Sequence, residues 1–304
     1  MKKIVVLGGS PAGVKAIEEI RSKEPDAEIT LITLNNHFPI IRENIPELVA
    51  GRKNWKDVLY RDKGYYSKYK INTIVDQKIH RINLKRKTVT TEDKTQYSYD
   101  ALICTESFTC NLPDLKGKNK SGVVVLNNLW ELTNMVNNAL LIDDVTIQTS
   151  RLFGIKLALA FLERKAEVTL VFSGNDELAQ KLETAGVFSA LEKSPINFQR
   201  DNDVEEVLGD SEVKAIRLKS GKVLASQMVI FDEAEEEFKA FAETSLSTSE
   251  GIPAQKGWAT EVEGVYAVDR ACATNYTRKT MDALPLDMLE LQGQEIAQQI
   301  QGQD

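Results

Sequence analysis

The sequence predicts an α/β protein, because a β-strand pattern that opens directly into a helix occurs twice along its 304 residues. The first occurrence begins with the apolar strand Ile4–Leu7 and continues into the amphipathic helix Val14–Lys23 and the strand Ile29–Leu34. The second repeats this outline at Asp144–Thr149, Leu152–Arg164 and Val168–Phe172. A strand, a helix and a strand within about 30 residues form a βαβ unit with parallel strands and a right-handed crossover. We therefore expect two Rossmann-like nucleotide-binding units, each with three layers.

Shorter strand patterns surround the two units. The pattern is irregular from Asn35 to Lys70, and three short strands follow that we assign to a small antiparallel layer: Ile71–Val75, Lys78–Leu84 and Lys87–Thr91. Further strands are expected at Tyr99–Cys104, Met228–Phe231 and Gly264–Val268. A hairpin is expected from Val213–Leu218 and Lys222–Leu224, and a last helix at Leu286–Ile300. A loop rich in Lys, Gly, Asn and Pro at 111–121 indicates a crossover between domains.

The composition argues against several classes of protein. With 42% hydrophobic and 27% charged residues, the chain is an ordinary globular sequence, neither fibrous nor disordered. Its formal net charge of −7 argues against a nucleic-acid partner. No apolar run approaches the roughly 18 to 20 residues that span a bilayer, and the first strand pattern starts too early for a signal peptide. Three cysteines do not make a disulfide framework, so we expect a cytoplasmic protein without a membrane partner.

The first βαβ unit carries a glycine-rich turn, GGSPAG at residues 8–13, between its strand and its helix. Such a turn lets the backbone approach a pyrophosphate, and the helix N-terminus adds free N–H groups and a partial positive charge. Gly8, Gly9 and Gly13 meet this need, and Ser10 is a small residue whose hydroxyl can donate to phosphate. The sequence therefore predicts a nucleotide site here. The alternative is a glycine turn that merely joins a strand to a helix.

Six segments resemble motifs of one flavoprotein superfamily and occur in the same order. They are GGSPAG at 8–13, FPIIR at 38–42, YDALI at 99–103, AEVTLVF at 166–172, TEVEGVYAV at 260–268 and QG at 292–293. The chain thus resembles the pyridine nucleotide-disulfide oxidoreductase superfamily, most closely its NADH oxidase, rubredoxin reductase and nitrite reductase branch. The resemblance implies an FAD-binding domain at 1–113 and 237–304, split by an inserted NAD(P)H-binding-like domain at 114–236. It also implies that the family's C-terminal interface domain is missing.

The same resemblance implies which residues hold FAD. They are Gly8, Gly9, Ser10, Pro11, Ala12, Gly13, Thr33, Arg42, Ile79, Thr105, Asp269, Arg270, Gln292 and Gly293. Some of these depart from the family's pattern. Thr33 stands where an acidic residue holds the adenosine ribose, and Thr105-Glu106-Ser107 replaces the Ala-Thr-Gly turn. Asp269 or Arg270 takes the position of the aspartate that helps to hold the ribityl-pyrophosphate. Gln292 and Gly293 direct the N-terminus of the last helix toward the flavin ring.

The second glycine turn has lost the residues that the chemistry needs. Thr149 and Arg151 stand where two glycines permit the turn and the close approach, and Arg151 adds bulk at the pyrophosphate position. By comparison with the family, Lys156 replaces a glutamate, and Phe172 replaces the acidic residue that holds the ribose of a nicotinamide nucleotide. Two such losses of about 2 kcal/mol each weaken binding roughly a thousandfold. We therefore expect no NAD(P)H at this site.

Cysteine and histidine chemistry is not indicated. The superfamily's disulfide enzymes use a closely spaced cysteine pair or a single cysteine soon after the position of Arg42, and this chain has neither. Cys104 falls in a buried strand pattern, whereas Cys272 is the one thiol near the expected flavin end of a strand. His37 and His80 are isolated, so we predict no metal site.

These features predict an FAD-binding oxidoreductase or electron-transfer subunit. Its flavin exchanges electrons with a redox protein, ferredoxin-like or rubredoxin-like, rather than with NAD(P)H held in the second domain. Two alternatives stay open. One is a pseudo-enzyme that keeps the fold as a scaffold in a larger complex, and the other is an NADH-dependent FAD reductase with unusual motifs. No residue qualifies as an acid, base or nucleophile, because in flavin chemistry the cofactor reacts and the protein tunes it.

Overall fold

The computed structural model describes most of the chain. The described residues are 1–34, 38–105, 108–110, 112–126, 129–173, 177–232, 234–236, 241, 244–246, 251–272 and 284–302, with side chains for all of these except 108–110, 129–130, 234–236 and 270. Some residues discussed above therefore lie outside the described part: His37, Glu106, Ser107 and the side chain of Arg270. The side chain of Cys110, the third cysteine of the chain, is also outside it.

Strands and helices alternate along the chain. The strands are β1 Lys3–Leu7, β2 Glu28–Ile32, β3 Ile71–Ile74, β4 Ile79–Asn83, β5 Thr88–Thr91, β6 Gln96–Ser98, β7 Ala101–Cys104, β8 Phe108–Cys110, β9 Val123–Val125, β10 Asp144–Thr149, β11 Glu167–Phe172, β12 Asn197–Arg200, β13 Val204–Leu208, β14 Ala215–Leu218, β15 Val223–Ala225, β16 Met228–Asp232, β17 Ala234–Glu236 and β18 Val265–Ala267. The α-helices are α1 Pro11–Lys23, α2 Ile45–Val49, α3 Trp55–Val58, α4 Lys63–Lys68, α5 Leu129–Asn138, α6 Leu152–Glu163, α7 Glu177–Thr184, α8 Val187–Glu192 and α9 Leu286–Gln301. Short 3-10 helices lie at Arg42–Asn44, Lys256–Trp258 and Asp269–Ala271. Of the helices that the structure describes, none is long and apolar enough to cross a membrane.

The first domain has three layers. Its central sheet is parallel, in the order β18-β7-β1-β2-β3, and its strands are apolar on both faces, as expected of a sheet covered on both sides. One face, with Val6 of β1, packs against α1 and α9 through residues such as Ile17 and Ile296. The other face, with Val5, packs against Val89 of the antiparallel sheet β4-β5-β6.

The second domain repeats this plan. Its parallel sheet has the order β12-β11-β10-β16-β9. Helices α5 to α8 share one core with this sheet, in which Met135, Leu157 and Phe161 are fully buried. The antiparallel sheet β13-β14-β15 covers the opposite face, where Ile216 and Val229 meet.

The second domain is inserted into the first, as predicted. The first sheet takes strands from residues 3–104 and 265–267, whereas the second takes strands from 123–232. The fold is therefore α/β with two Rossmann-like domains of three layers each. The boundaries at 113–114 and 236–237 stay a prediction.

A strand is present as predicted at Ile71–Ile74, but its assignment to the antiparallel layer is wrong. β3 pairs in parallel with β2 at the edge of the main sheet, with Ile71 opposite Ile29. The chain returns from β2 to β3 through α2, α3 and α4, and a crossover of this length leaves consecutive strands parallel. Each of these helices has only four to six residues, so residues 35–70 lack a clear helical period. The third strand of the antiparallel layer is β6 instead.

Helix α2 joins the two domains. Ile45, Leu48 and Val49 belong to the hydrophobic core of the second domain. After α6, Arg164 donates from Nε to the carbonyl oxygen of Val49 at 2.7 Å. Its guanidinium also occupies the space where a side chain at Gly51 would begin. The segment that follows Arg42 is thus fixed against the inserted domain.

Helix α9 crosses α1 at Gly293. A Cβ at this position would overlap the carbonyl oxygen of Ala12 and would lie 2.7 Å from Cβ of Lys15. Glycine is therefore required for the two helices to approach this closely. The contact places α9 directly on the first turns of α1, beside the glycine-rich turn.

Gly293→Ala is expected to lower the free energy of unfolding by about 1–3 kcal/mol, because the added methyl group overpacks the crossing of α1 and α9. Urea denaturation followed by circular dichroism measures this loss. Gly302→Ala is the matched control at the end of the same helix, where the nearest atom to an added Cβ is 3.2 Å away. The control should change stability by less than about 0.5 kcal/mol. Equal effects of the two substitutions would contradict the close crossing.

Candidate functional site

The glycine-rich turn lies at the carboxyl end of β1. Gly8 has φ = 106°, in the region that favours glycine, and its N–H donates to the carbonyl oxygen of Ile32 in β2 at 2.9 Å. A Cβ at Gly9 would meet no described atom within 4 Å. The turn is therefore open beside Gly9, as a site for a bound group requires.

Helix α1 starts directly after this turn, with Ser10 as N-cap and Pro11 as its first residue. The hydroxyl oxygen of Ser10 accepts from the N–H of Ala12 at 3.2 Å, so its proton stays free to donate. Among the described residues, no acceptor bonds the backbone N–H groups of Gly9 and Ser10, although Ser10 is only 1% exposed. Unpaired N–H groups at a helix N-terminus are suited to binding an oxyanion.

Gly13 lets helix α1 pack closely against the sheet. A Cβ there would lie 2.8 Å from Cγ1 of Val6 and 2.9 Å from Cγ2 of Thr105. Thr105 follows β7, and both its N–H and its hydroxyl donate to the carbonyl oxygen of Leu7, at 2.9 and 3.0 Å. Thr105 thus holds the ends of β1 and β7 together under the glycine-rich turn.

The turn after β18 completes this edge of the sheet. Asp269 is a non-glycine residue at φ = 51°, and it is only 5% exposed. Its N–H donates to Oε1 of Gln292 in α9 at 3.1 Å. The N–H of Ala271 donates to the carbonyl oxygen of Thr105 at 2.6 Å. Hydrogen bonds therefore connect the Asp269 turn to Thr105 and to α9.

The structure brings most of the sequence-predicted site residues to one sheet edge. The glycine-rich turn, Thr105 and the Asp269 turn follow the carboxyl ends of adjacent strands, and Gln292 and Gly293 contact this edge from α9. In open α/β sheets, ligands bind at such an edge.

Three further predicted residues, Thr33, Ile79 and Arg42, lie on or directly after other elements of the fold. Thr33 follows β2 and is fully buried, and its N–H donates to the carbonyl oxygen of Ile74 at 2.8 Å. Ile79 opens β4 in the antiparallel layer. The guanidinium carbon of Arg42 lies 5.6 Å from the ring centroid of Phe153 in α6. No sequence pattern indicated this contact with the second domain.

The second turn is closed by its own residues. Thr149, the last residue of β10, accepts from the N–H of Arg151 at 2.9 Å and donates from its hydroxyl to Oδ2 of Asp232 at 3.1 Å. A Cβ at Gly154 would lie 2.6 Å from Cγ2 of Thr149. Gly154 therefore keeps the packing role of a third glycine, with Thr149 in place of an open turn.

Arg151 forms a buried ion pair with Asp232. The two side chains are 1% and 0% exposed, and Nε of Arg151 also donates to the carbonyl oxygen of Asp232 at 2.9 Å. Asp232 ends β16, directly opposite Thr149 of β10. These two strands flank the point at which the strand order reverses, where a Rossmann-like sheet binds its dinucleotide. The sequence indicated the bulk of Arg151 but not its partner.

Phe172 fills the space at the end of β11, in the second domain. It ends β11, is fully buried and packs edge to face against Phe188, with ring centroids 5.0 Å apart. Phe188 in turn contacts Phe198 at 5.5 Å. An aromatic cluster thus occupies the place beside a strand end where an acidic residue would face a ribose.

Lys156 lines a groove of about 630 Å³ between the domains. The groove walls include Glu43, Glu47 and Arg52 of the first domain and Glu163 of α6. Arg52 donates to both carboxylate oxygens of Glu47, at 2.6 and 2.8 Å, and also pairs with Glu163. Its hydrogen bonds hold the pKa of Glu47 below the usual value. The ion pair between Arg52 and Glu163, which joins the two domains, therefore lines this groove.

The two cysteines with described side chains, Cys104 and Cys272, are buried and form no disulfide with each other. Cys104 lies in the first-domain core, as predicted, and burial raises the pKa of its thiol. Cys272 is fully buried in the same core, so it offers no accessible thiol. The described residues contain no cluster of three metal-ligating side chains, and His80 is exposed.

The fold and the site define a class of protein, a two-domain dinucleotide-binding fold with one open glycine-rich turn and one closed turn. The chain belongs to the pyridine nucleotide-disulphide oxidoreductase family, whose sequence profile matches residues 2–281.

Individual relatives are distant. The chain is 25% identical over 277 residues to nitrite reductase [NAD(P)H] of Bacillus subtilis, covering 88% of this chain and 34% of that protein. It is 26% identical over 227 residues to NADH oxidase of Enterococcus faecalis, covering 73% of this chain and 50% of that protein. The chain therefore spans between a third and a half of these two relatives. The crystal structure of a covalent putidaredoxin reductase–putidaredoxin complex contains a similar fold, with a TM-score of 0.84, 16% identity and coverage of 99% and 75%.

Asp232→Asn is expected to lower the free energy of unfolding by about 3–5 kcal/mol, because it removes the buried negative charge that pairs with the Arg151 guanidinium. Urea denaturation measures the loss. Glu177→Gln is the control, since it breaks an exposed pair with Lys181 and should cost less than about 1 kcal/mol. A loss no larger than that of the control would show that the Arg151–Asp232 pair is not held in a buried site.

Cys104 is expected to resist alkylation by iodoacetamide at about pH 8 in the native protein, because burial keeps its thiol protonated and inaccessible. The same thiol should react readily once the protein is unfolded in urea. Peptide mass spectrometry of the labelled protein reads out each cysteine separately. Rapid native labelling of Cys104 would contradict its place in the core.

Proposed function

We propose that this chain is an FAD-binding flavoprotein that transfers electrons. Its flavin would exchange electrons with a protein partner and not with NAD(P)H held in its own second domain. The observation that carries the proposal is the contrast between the two turns. The first keeps an open side at Gly9 and two N–H donors without acceptors, whereas the second is closed by Arg151 and Asp232.

The first site fits FAD in several respects. The N–H groups of Gly9 and Ser10 would donate to the pyrophosphate, helped by the partial positive charge at the start of α1. Asp269 follows β18, two strands away from β1 at the same edge of the sheet, where it would receive the ribityl chain. Thr33 would face the adenosine ribose with a neutral hydroxyl, and Ile79 and Arg42 are further residues that the family resemblance assigns to the cofactor. Bound FAD would supply the redox chemistry, which these side chains only position and tune.

The second site opposes a dinucleotide on energetic grounds. A pyrophosphate at the switch point would have to separate Arg151 from Asp232 or lie beside an uncompensated carboxylate. Breaking a buried pair costs about 3–5 kcal/mol, which weakens binding by roughly two to four orders of magnitude. Phe172 would weaken binding further, because it stands where the family has an acidic residue that accepts hydrogen bonds from the ribose. Electrons would therefore arrive from, or leave to, another protein.

A small iron–sulfur protein, ferredoxin-like or rubredoxin-like, is the partner that we propose. The similar fold of putidaredoxin reductase, crystallised in covalent complex with putidaredoxin, supports this choice. The names of the nitrite reductase and NADH oxidase relatives favour a second candidate, a reductase that uses NADH directly. The third candidate is a scaffold subunit without flavin.

Reconstitution with FAD separates these candidates. We expect the purified protein to show flavin absorption in the near ultraviolet and blue, to keep it through gel filtration and to be bleached by dithionite but not by NADH under anaerobic conditions. Rapid bleaching by NADH would overturn the partner route, and absence of flavin after reconstitution would leave only the scaffold.

A variant with Thr149→Gly, Arg151→Gly and Asp232→Ala tests the reason for the expected inertness toward NADH. These changes remove the ion pair and restore two glycines to the second turn. Binding of NADH, measured by its fluorescence, should become at least about tenfold tighter than in the parent protein. Circular dichroism first verifies that the variant is folded. Parent protein that binds NADH as tightly as the folded variant would contradict closure by Arg151 and Asp232.

A further inference from the structure

The turn that carries Asp269 is held in an unfavourable conformation. At φ = 51°, Asp269 lies in the left-handed region, which non-glycine residues adopt only when their surroundings impose it. It follows β18, the edge strand of the first sheet, and it is almost fully buried. Some neighbouring group must therefore maintain this backbone geometry.

Gln292 is the neighbour in the right place. Its side chain is 5% exposed, and its Oε1 accepts the N–H of Asp269 at 3.1 Å. A buried N–H needs such an acceptor, because leaving it unpaired is costly. Gln292 is thus the point at which α9 contacts the Asp269 turn.

The next residue, Gly293, connects the same helix turn to the other half of the site. Its missing side chain lets α9 rest on the carbonyl oxygen of Ala12, inside the first turn of α1. One turn of α9 therefore contacts two segments: the Asp269 turn, and helix α1, which follows the glycine-rich turn. These two segments lie about 260 residues apart in the sequence.

We propose that Gln292 is a positioning residue for FAD: it holds Asp269 in the left-handed conformation and fixes the Asp269 turn relative to the glycine-rich turn. Gln292 acts through the backbone of Asp269 and not by touching the cofactor. The inference rests on the proposed binding of FAD at the first site. It differs from the expectation that Gln292 belongs to the cofactor-contacting residues.

Gln292→Leu removes the acceptor and keeps a side chain of similar size. We expect the Kd for FAD, measured by quenching of flavin fluorescence, to rise about tenfold, the factor of one hydrogen bond. Gln298→Leu is the matched control on the exposed face of the same helix and should leave the Kd unchanged. A lower melting temperature of the apoprotein with an unchanged Kd would reduce Gln292 to a structural role and overturn the proposal.

A double-mutant cycle separates positioning from direct contact. Asp269→Gly raises the Kd by itself and supplies a residue that adopts φ = 51° without help. If Gln292 acts through Asp269, then Gln292→Leu in the Asp269→Gly background raises the Kd less than twofold further. A full, independent tenfold effect in that background would show that Gln292 touches the cofactor itself.

Hydrogen exchange of the apoprotein tests the structural step without FAD. Gln292→Leu should speed amide exchange in the peptide that spans residues 265–272, whereas Gln298→Leu should not. Unchanged exchange would overturn the positioning role even where FAD binds. Faster exchange in a protein that binds no FAD at all would instead refute the proposed function and leave the Gln292–Asp269 contact in place.

Discussion

The first domain depends on the packing of α9 against α1. Its sheet is assembled from two chain segments that the second domain separates, so no short connection holds β18 and α9 to β1. Gly293 has no side chain to keep the two helices apart, and Ile296 and Ile300 of α9 are buried in the core of the first domain. Each such side chain contributes about 1.5–3 kcal/mol. The relative position of the glycine-rich turn and the Asp269 turn therefore follows from this helix contact.

The interface between the domains also depends on the packing of a helix, in this case α2. Helix α2 belongs to the first domain by sequence, but Leu48 and Val49 lie in the core of the second. Arg164 donates a hydrogen bond to the carbonyl oxygen of Val49 at the end of α2, and Arg52 forms an ion pair with Glu163 at the edge of the interface. The exposed ion pairs add little, because solvent screens them, so the apolar contact dominates.

The sequence was sufficient where the physical signal is local. The bounds of β10 match their prediction because an apolar run is followed at once by a helical period, and the glycine-rich turn was recognisable from its spacing alone. β3 was misassigned because four residues do not reveal whether a strand pairs in parallel or antiparallel. The partner of Arg151 lies 81 residues away, and that of Asp269 lies 23 residues away. Contacts at such separations depend on the assembled sheets, and no spacing rule encodes them.

The two sites differ in how their polar groups are satisfied. In the second domain, the strand-end groups that would meet a dinucleotide are paired internally, since Arg151, Thr149 and Asp232 hydrogen-bond one another. That domain is complete without a ligand, and a ligand would have to break a buried ion pair to enter. In the first domain, the N–H groups of Gly9 and Ser10 lack an acceptor within the described part of the chain. Because a buried donor such as the N–H of Ser10 needs a partner, an anion would stabilise the first site, whereas it would disrupt the paired groups of the second. This difference in hydrogen-bond satisfaction is the physical argument behind the proposal that FAD binds in the first domain.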